Sequence, residues 1–184
     1  MADLSSSPPS GDDPEALVRA LWAHDQIRAL ASRYAVAIDA RDIEGLVALF
    51  VDDVQVGRRR TGREALAESF RASLGAIGPS MLHVTSQVVD LVDADHATGS
   101  VYCLADVVED HRMIRQAILY RDTYERRDGR WFFVRRIHEL FYGVPRDENP
   151  LDQSPANWPE RSWGRGTVPE SWPSWGRFWA GSGD

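Results

Sequence analysis

At 184 residues the chain has the length of one domain with an appendage, enough to bury a core without disulfide or metal staples. With 21 Lys and Arg against 28 Asp and Glu, its formal charge of -7 argues against a nucleic-acid backbone or an anionic membrane as the main partner. The one cysteine, Cys103, rules out an internal disulfide and a thiol-based zinc cluster, and it suits a reducing, cytoplasmic setting.

The first twelve residues are rich in Ser, Pro, Gly and Asp and read as a mobile leader. They have neither the basic nor the apolar region of a signal peptide, and no run in the chain approaches the ~20 apolar residues of a membrane span. From Asp13 the pattern turns helical: Leu17, Leu21, Ile27, Leu30, Ala31, Tyr34 and Ile38 recur at three- and four-residue steps, as one amphipathic helix or two in series. A second helix is expected from Ile43 to about Phe50, with Asp42 as its N-cap. Val54 to Val56 reads as a short strand, and Thr61-Gly-Arg-Glu64 has the form of a capping box opening a third helix to about Leu74.

The second half is strand-like. Residues 81–93, 97–109, 112–126 and 130–142 carry β-branched and aromatic residues, with breaks at Asp93-Ala94-Asp95, Glu109-Asp110 and the hairpin signal Asp128-Gly129. Helices followed by a long antiparallel meander predict an α+β fold, a curved sheet wrapped into a half-open cone with helices on one face and a pocket inside. This domain spans 13–144. The remainder, 145–184, holds Trp158, Trp163, Trp172, Trp175 and Trp179 among prolines; it fits neither a helical nor a strand pattern and is too aromatic for a solvated linker, so it is expected to act as a lid or as a clasp on a neighbouring subunit.

The helix ending in Tyr34-Ala-Val-Ala-Ile-Asp39, the segment DIEGLVALFVDD, TGREAL, a histidine in the first long strand and the closing YERRDGRWFFVRRI resemble the SnoaL-like branch of the NTF2-like superfamily over roughly residues 15–142. The resemblance implies a catalytic dyad of Asp39 and His83, since the family's dehydratases and dehydrochlorinases carry matching residues. It also implies that Arg136 helps hold a leaving group or an anionic intermediate, and that the protein is a homo-oligomer, a trimer before a dimer.

Taken alone, each of these residues has a plainer reading. Asp39 in AIDARD is a turn or cap residue, and a strand histidine is more often structural than a base. Tyr34 and Asp39 are about 140° apart on an ideal helix, so they share a pocket only if the helix ends or bends near Asp39. By strand alternation His83 shares a face with Thr85, Gln87, Val89 and Leu91; Tyr102 with Leu104 and Asp106; Gln116 with Ile118, Tyr120, Asp122 and Tyr124; and Phe132 with Val134, Arg136, His138, Leu140 and Tyr142. His24, His96 and His111 are expected to be solvated, and Arg58-Arg59-Arg60 reads as a solvated turn. There is no G-x-G-x-x-G after a strand, no Walker A, no H-E-x-x-H and no G-x-S-x-G, so nothing calls for a nucleotide, a metal or a serine nucleophile.

The expected function is a cofactor-free lyase of the dehydratase type. His83, oriented by Asp39, removes a proton from carbon, while Tyr34, Arg136 or a water assists departure of a hydroxyl or stabilises an enolate. Phe50, Tyr102, Asp106, Ile118, Tyr120 and His138 are the expected substrate contacts. Ile38, Phe70, Val89 and Phe141 add apolar wall for a ligand of polyketide, steroid or terpenoid character. Isomerisation or polyketide cyclisation, epoxide opening by an Asp39/Arg136/Asp106 set, and non-catalytic ligand binding or assembly remain open.

Overall fold

The computed structural model describes residues 13–157, 159–161 and 163–181. The expected leader at 1–12 and Trp158 lie outside the described residues. Helix α1 (Pro14–Asp39) is continuous: the Asp13 carboxylate accepts from the amides of Glu15 and Ala16 at 2.9 and 3.2 Å, and Pro14 occupies the first turn, where no amide is missed. Its buried stripe, Ala23, Ile27, Leu30, Ala31, Ala35 and Ile38, follows the predicted spacing and lies on the sheet.

Helix α2 (Ile43–Val47) stops one turn earlier than its apolar pattern suggests. Phe50 leaves the helix to bridge Phe133 of the sheet, and that pairing outcompetes a further turn. Asp42 is its N-cap, accepting from the Gly45 amide at 3.0 Å. Strands β1 (Gln55–Val56) and β2 (Arg60–Thr61) form a two-stranded ribbon. The capping box is absent: Thr61 is paired with Gln55, and α3 (Arg63–Gly75) starts after Gly62, at φ +95, with no side-chain cap.

The sheet is the expected antiparallel meander of β3 (Ser80–Leu91), β4 (His96–Glu109), β5 (Arg112–Arg127) and β6 (Arg130–Pro145), in that spatial order. Its turns fall at the predicted breaks. Asp110 and His111, then Asp128 and Gly129, take positive φ, the conformation that matches the twist of a two-residue hairpin. The helices cover one face of the curved, unclosed sheet, and the core fills the space between.

Bulges in three places decide which side chains enter that core. One lies in β3 between Val84 and Ser86, so Leu82 and Val84 face inward before it, and Gln87 and Val89 after it. His83 pairs across from Leu104 on the outer face, and the expected row running from His83 through Gln87 to Leu91 is broken. A second, opposite Thr123 and Tyr124, brings Phe133 and Arg136 to the same inner face although they are three residues apart. The third, at Ala117/Ile118, returns Tyr142 to the outer face.

The tail is partly helical, against the sequence expectation. After a 3-10 turn (Pro150–Asp152), α4 (Pro173–Ala180) begins at a proline and buries Trp175 and Phe178, three residues apart on one face, while Trp163 and Trp179 stay exposed. Phe178 packs with Ala37, Ile38, Ile43, Leu46, Ala67 and Leu74. This helix therefore docks on its own chain, at the junction of α1, α2 and α3. No helix among the described residues is long and apolar enough to cross a membrane.

Gly99 in β4 has no room for a side chain: a Cβ there would stand 2.9 Å from the Val88 carbonyl and 3.0 Å from the Tyr124 ring. Gly99→Val is expected to lower unfolding free energy by about 1–3 kcal/mol, as overpacking does. A urea titration with an unchanged midpoint would contradict this account of the contact.

Candidate active site

A cavity of about 820 Å³ opens between α1, the β1 region, α3 and the edge strand β6. Tyr34, Phe50, Phe70, Tyr120, Val134, Arg136 and His138 line its interior, and Asp53, Glu125, Arg127 and Arg135 lie nearer its charged mouth. At the mouth Arg127 binds Asp52, Asp53 and Glu125 together.

The floor is built on one buried ion pair. Arg136 donates from Nε and NH2 to the two carboxylate oxygens of Asp122 at 2.8 and 2.6 Å, with side-chain exposures of 4% and 0%. The Tyr124 hydroxyl also donates to Asp122, at 2.8 Å. Three aromatic rings surround the guanidinium: Tyr34 at 4.4 Å and Tyr120 and Phe133 at 4.3 Å from their centroids. Burial works against the charge of Arg136, but the hydrogen bonds to Asp122 outweigh it and hold its pKa above the ordinary value. Burial drives the Tyr34 hydroxyl up to about 12 and those of Tyr120 and Tyr124 well above their usual range, so all three are protonated donors at neutral pH.

Tyr34 joins the site to the fold. Its ring meets Phe50, Phe70, Tyr120 and Phe133 edge-on at centroid distances of 5.8–6.5 Å, and it packs against all three apolar clusters of the core.

Asp39 forms a second polar site at the last residue of α1. Its carboxylate accepts from Ser80 Oγ at 3.1 Å and from the Leu82 amide at 3.0 Å. Burial nevertheless pushes its pKa up to about 6, against the opposing pull of those bonds, Arg41 and His83. The buried Cys103 thiol feels both sites: burial pushes it to about 11, and the charges of Arg136 and Asp39 act on it with opposite sign.

The structure gathers Tyr34, Phe50, Tyr120, Arg136 and His138 around one cavity. His138 stacks tilted on Tyr120 at 5.6 Å, and partial burial holds its pKa below the usual value, which favours the neutral ring. Ile118 is in the core behind the floor and does not line the cavity. Asp39 and His83 are not hydrogen-bonded: the carboxylate is taken by Ser80 and Leu82, and the imidazole is on the exposed outer face. Tyr102 and Asp106 share that face. Tyr102 stacks on Phe141, and Asp106 is held by Arg115 in a two-point pair at 2.8 and 2.6 Å, which keeps its carboxyl below the usual range. An Asp39/Arg136/Asp106 set is therefore not assembled, because alternation puts Asp106 and Arg136 on opposite faces.

The sequence pattern sets Asp122 and Tyr124 on one face with Tyr120 without marking Asp122 as the partner of Arg136, and it gives no sign of Arg41 or Ser80. The hairpin turn at Asp128-Gly129 is a usable signal for Asp122, but two-residue register alone pairs it with Arg135. The bulge shifts the partner to Arg136.

Residues 19–137 match the SnoaL-like domain family. The chain belongs to that family. Its sequence is 30% identical over 127 residues to γ-hexachlorocyclohexane dehydrochlorinase of Sphingobium indicum, covering 65% of this chain and 81% of the relative. A solved type 2 hexachlorocyclohexane dehydrochlorinase superposes with a TM-score of 0.62 at 26% identity, over 72% of this chain and 94% of that one. An NTF2-like protein with a cystatin-like fold from Novosphingobium aromaticivorans gives 0.59 at 26% identity, over 73% and 94%. A candidate scytalone dehydratase from the same organism shares the fold, with a TM-score of 0.62 at 23% identity over 72% and 93%. These likenesses agree with the α+β half-barrel of the SnoaL-like domain, and the tail with α4 lies beyond the matched span.

Arg136→Met leaves the Asp122 carboxylate buried without its partner and is expected to cost about 3–5 kcal/mol of stability. Pairing it with Asp122→Leu removes the stranded charge and restores most of the loss; a double variant no more stable than the single one in chemical unfolding contradicts this. Asp39 supplies a pH test. Its folded pKa of about 6 lies above the ordinary 3.8, so the folded chain holds a proton that the unfolded chain releases. Stability should therefore fall by up to about 3 kcal/mol as pH rises from 4 to 7. Asp39→Asn should flatten that slope.

Proposed function

We propose that this SnoaL-like protein is a lyase that eliminates a small leaving group from a compact, mostly apolar organic molecule after proton removal from carbon. The observation that carries the reading is the fixed, desolvated Arg136 guanidinium at the floor of an aromatic-lined cavity of about 820 Å³. A cation already bound to Asp122 and enclosed by rings does not reorganise when negative charge develops on a departing chloride or hydroxyl, or on an enolate oxygen. The Tyr34 hydroxyl, protonated at any physiological pH, supplies a donor on the same wall. The hexachlorocyclohexane in the name of the Sphingobium relative is a small chlorinated ring of a size and polarity suited to this space.

The proton acceptor is assigned to Asp39 in place of the expected His83, whose imidazole is on the exposed outer face, and His83 is kept as the second member of the expected dyad. A carboxylate of pKa about 6 is half-ionised just below neutrality and is a far stronger base than a solvated one, and Ser80 and Leu82 hold its orientation. His83 follows Leu82 directly and already acts on the Asp39 charge. A second reading keeps the reaction and gives proton removal to His138, because that imidazole lines the cavity and burial favours its neutral form.

Chloride release from γ-hexachlorocyclohexane and loss of water from scytalone are the assays. Asp39→Asn and His83→Ala should each reduce turnover by about 10²–10⁴-fold, and parent activity should rise as pH passes through about 6. Near-normal turnover in both variants removes the dyad. A comparable loss confined to His138→Ala establishes the second reading.

A further inference from the structure

Arg41 is the most deeply buried basic residue among the described ones, 1% exposed, yet it is not ion-paired with a carboxylate. It is a non-glycine residue at φ +56, directly after the end of α1, a conformation that carries a steric cost and persists where the surroundings enforce it. Its NH1 donates to the Ile38 carbonyl at 2.7 Å and to Ser80 Oγ at 2.9 Å, and NH2 donates to the Gly78 carbonyl. Its Nε is buried with no partner. Desolvating a guanidinium in this way is costly, and holding three backbone and hydroxyl acceptors is more than closing a helix requires.

The hydroxyl of Ser80 gives the arrangement a direction. It has one hydrogen to donate. Because a lone pair of Oγ is engaged by Arg41, that hydrogen is directed to Asp39 Oδ1 at 3.1 Å. Arg41 therefore fixes the Asp39 carboxylate without touching it. A direct guanidinium–carboxylate bond would make Asp39 a poor base, as Arg115 does for Asp106; relaying through a hydroxyl keeps the orientation and leaves a proton acceptor. The other groups facing Asp39 are the Leu82 amide, His83 and the Cys103 thiol.

The cover of this relay is α4. Trp175 lies over the Arg41 guanidinium at 5.0 Å, Ser174 Oγ donates to the Ala40 carbonyl at 2.8 Å, and Phe178 anchors the helix in the core. These residues lie outside the 19–137 span that matches the family.

We propose that Arg41, acting through Ser80, is the positioning residue of the Asp39 carboxylate, and that α4 is a built-in cap that keeps the relay dry through Trp175. Its catalytic meaning rests on the reading of Asp39 as the base. The relay itself is tested without substrate, in protein carrying ¹³C at the Asp side-chain carboxyls, with the Asp39 signal assigned by its disappearance in Asp39→Asn.

In the full chain, Ser80→Ala and Arg41→Met should each raise the Asp39 titration midpoint by half a pH unit or more, because each withdraws a favourable interaction from the ionised form. Ser80→Thr should restore it. A structural role alone would lower the melting temperature and leave the midpoint in place, and that result overturns the relay. Should Arg41→Met fail to fold, Ser80→Ala decides. For the cap, Trp175→Ala should speed solvent exchange of the Arg41 Nε–H at least tenfold, and unchanged exchange overturns that part. Turnover of γ-hexachlorocyclohexane by Asp39→Asn separates the two claims: retained activity removes the base reading whatever the titrations give, and lost activity with unmoved midpoints removes the relay alone.

Discussion

The structure depends on an ion pair placed where ion pairs are expensive. Asp122 and Arg136 are on adjacent strands with almost no exposed side-chain surface. Charges so desolvated persist only when each satisfies the other and the remaining hydrogen-bonding capacity is met. The two-point contact, the Tyr124 hydroxyl and three aromatic faces meet those requirements. Each partner is in turn fixed by the core: Phe133 is tied to the α2 end through hydrogen bonds with Leu49 and Val51, and Tyr34 projects from the C-terminal part of the long helix. Packing and electrostatics therefore support the same group of residues, and the cavity is the space they leave open beside the edge strand.

Edge position explains why the opening is there. On the interior strands β4 and β5 both neighbours are paired, and their inner faces are filled by Val101, Cys103, Ala105 and Ile118. Strand β6 has a sheet neighbour on one side only; at Phe133 its other edge is bonded to Leu49 and Val51, and past that contact the cavity opens beside Val134, Arg136 and His138. The charged cluster around Arg127 rims this access and contrasts with the aromatic interior. A ligand passing inward exchanges water for rings before it meets the fixed cation, the order in which electrostatic stabilisation gains strength.

The SnoaL-like domain thus holds two polar centres of different kind. At the floor, a paired guanidinium and protonated tyrosines can only donate hydrogen bonds or stabilise negative charge. At the end of α1, a carboxylate with a raised proton affinity can accept a proton. Elimination needs both functions, and the buried Cys103 thiol feels the charge of each centre. The tail, which lies beyond residues 19–137 matched to the family, has joined the second centre rather than the cavity, with an indole over Arg41.

The amino-acid pattern by itself determined the three N-terminal helices followed by the four-stranded meander and its turns, though not β2 or the tail helix. Those features are local: helical spacing, Asp-Gly at the hairpin and Asp42 before α2 act within a few residues. It also named Tyr34, Arg136, Phe50, Tyr120 and His138 as expected site residues, and these line one cavity in the structure. What only the tertiary structure decided was the face presented by residues beside bulges. One unpaired residue in β3 separates His83 from the inner row to which simple alternation assigns it, and one in β6 moves the partner of Asp122 from Arg135 to Arg136. A bulge is selected by how two strands and the helix above them pack together, a non-local balance that no short stretch of sequence records. The same reason hid Arg41 and Ser80, thirty-nine positions apart in sequence and joined only when the end of α1 meets the start of β3.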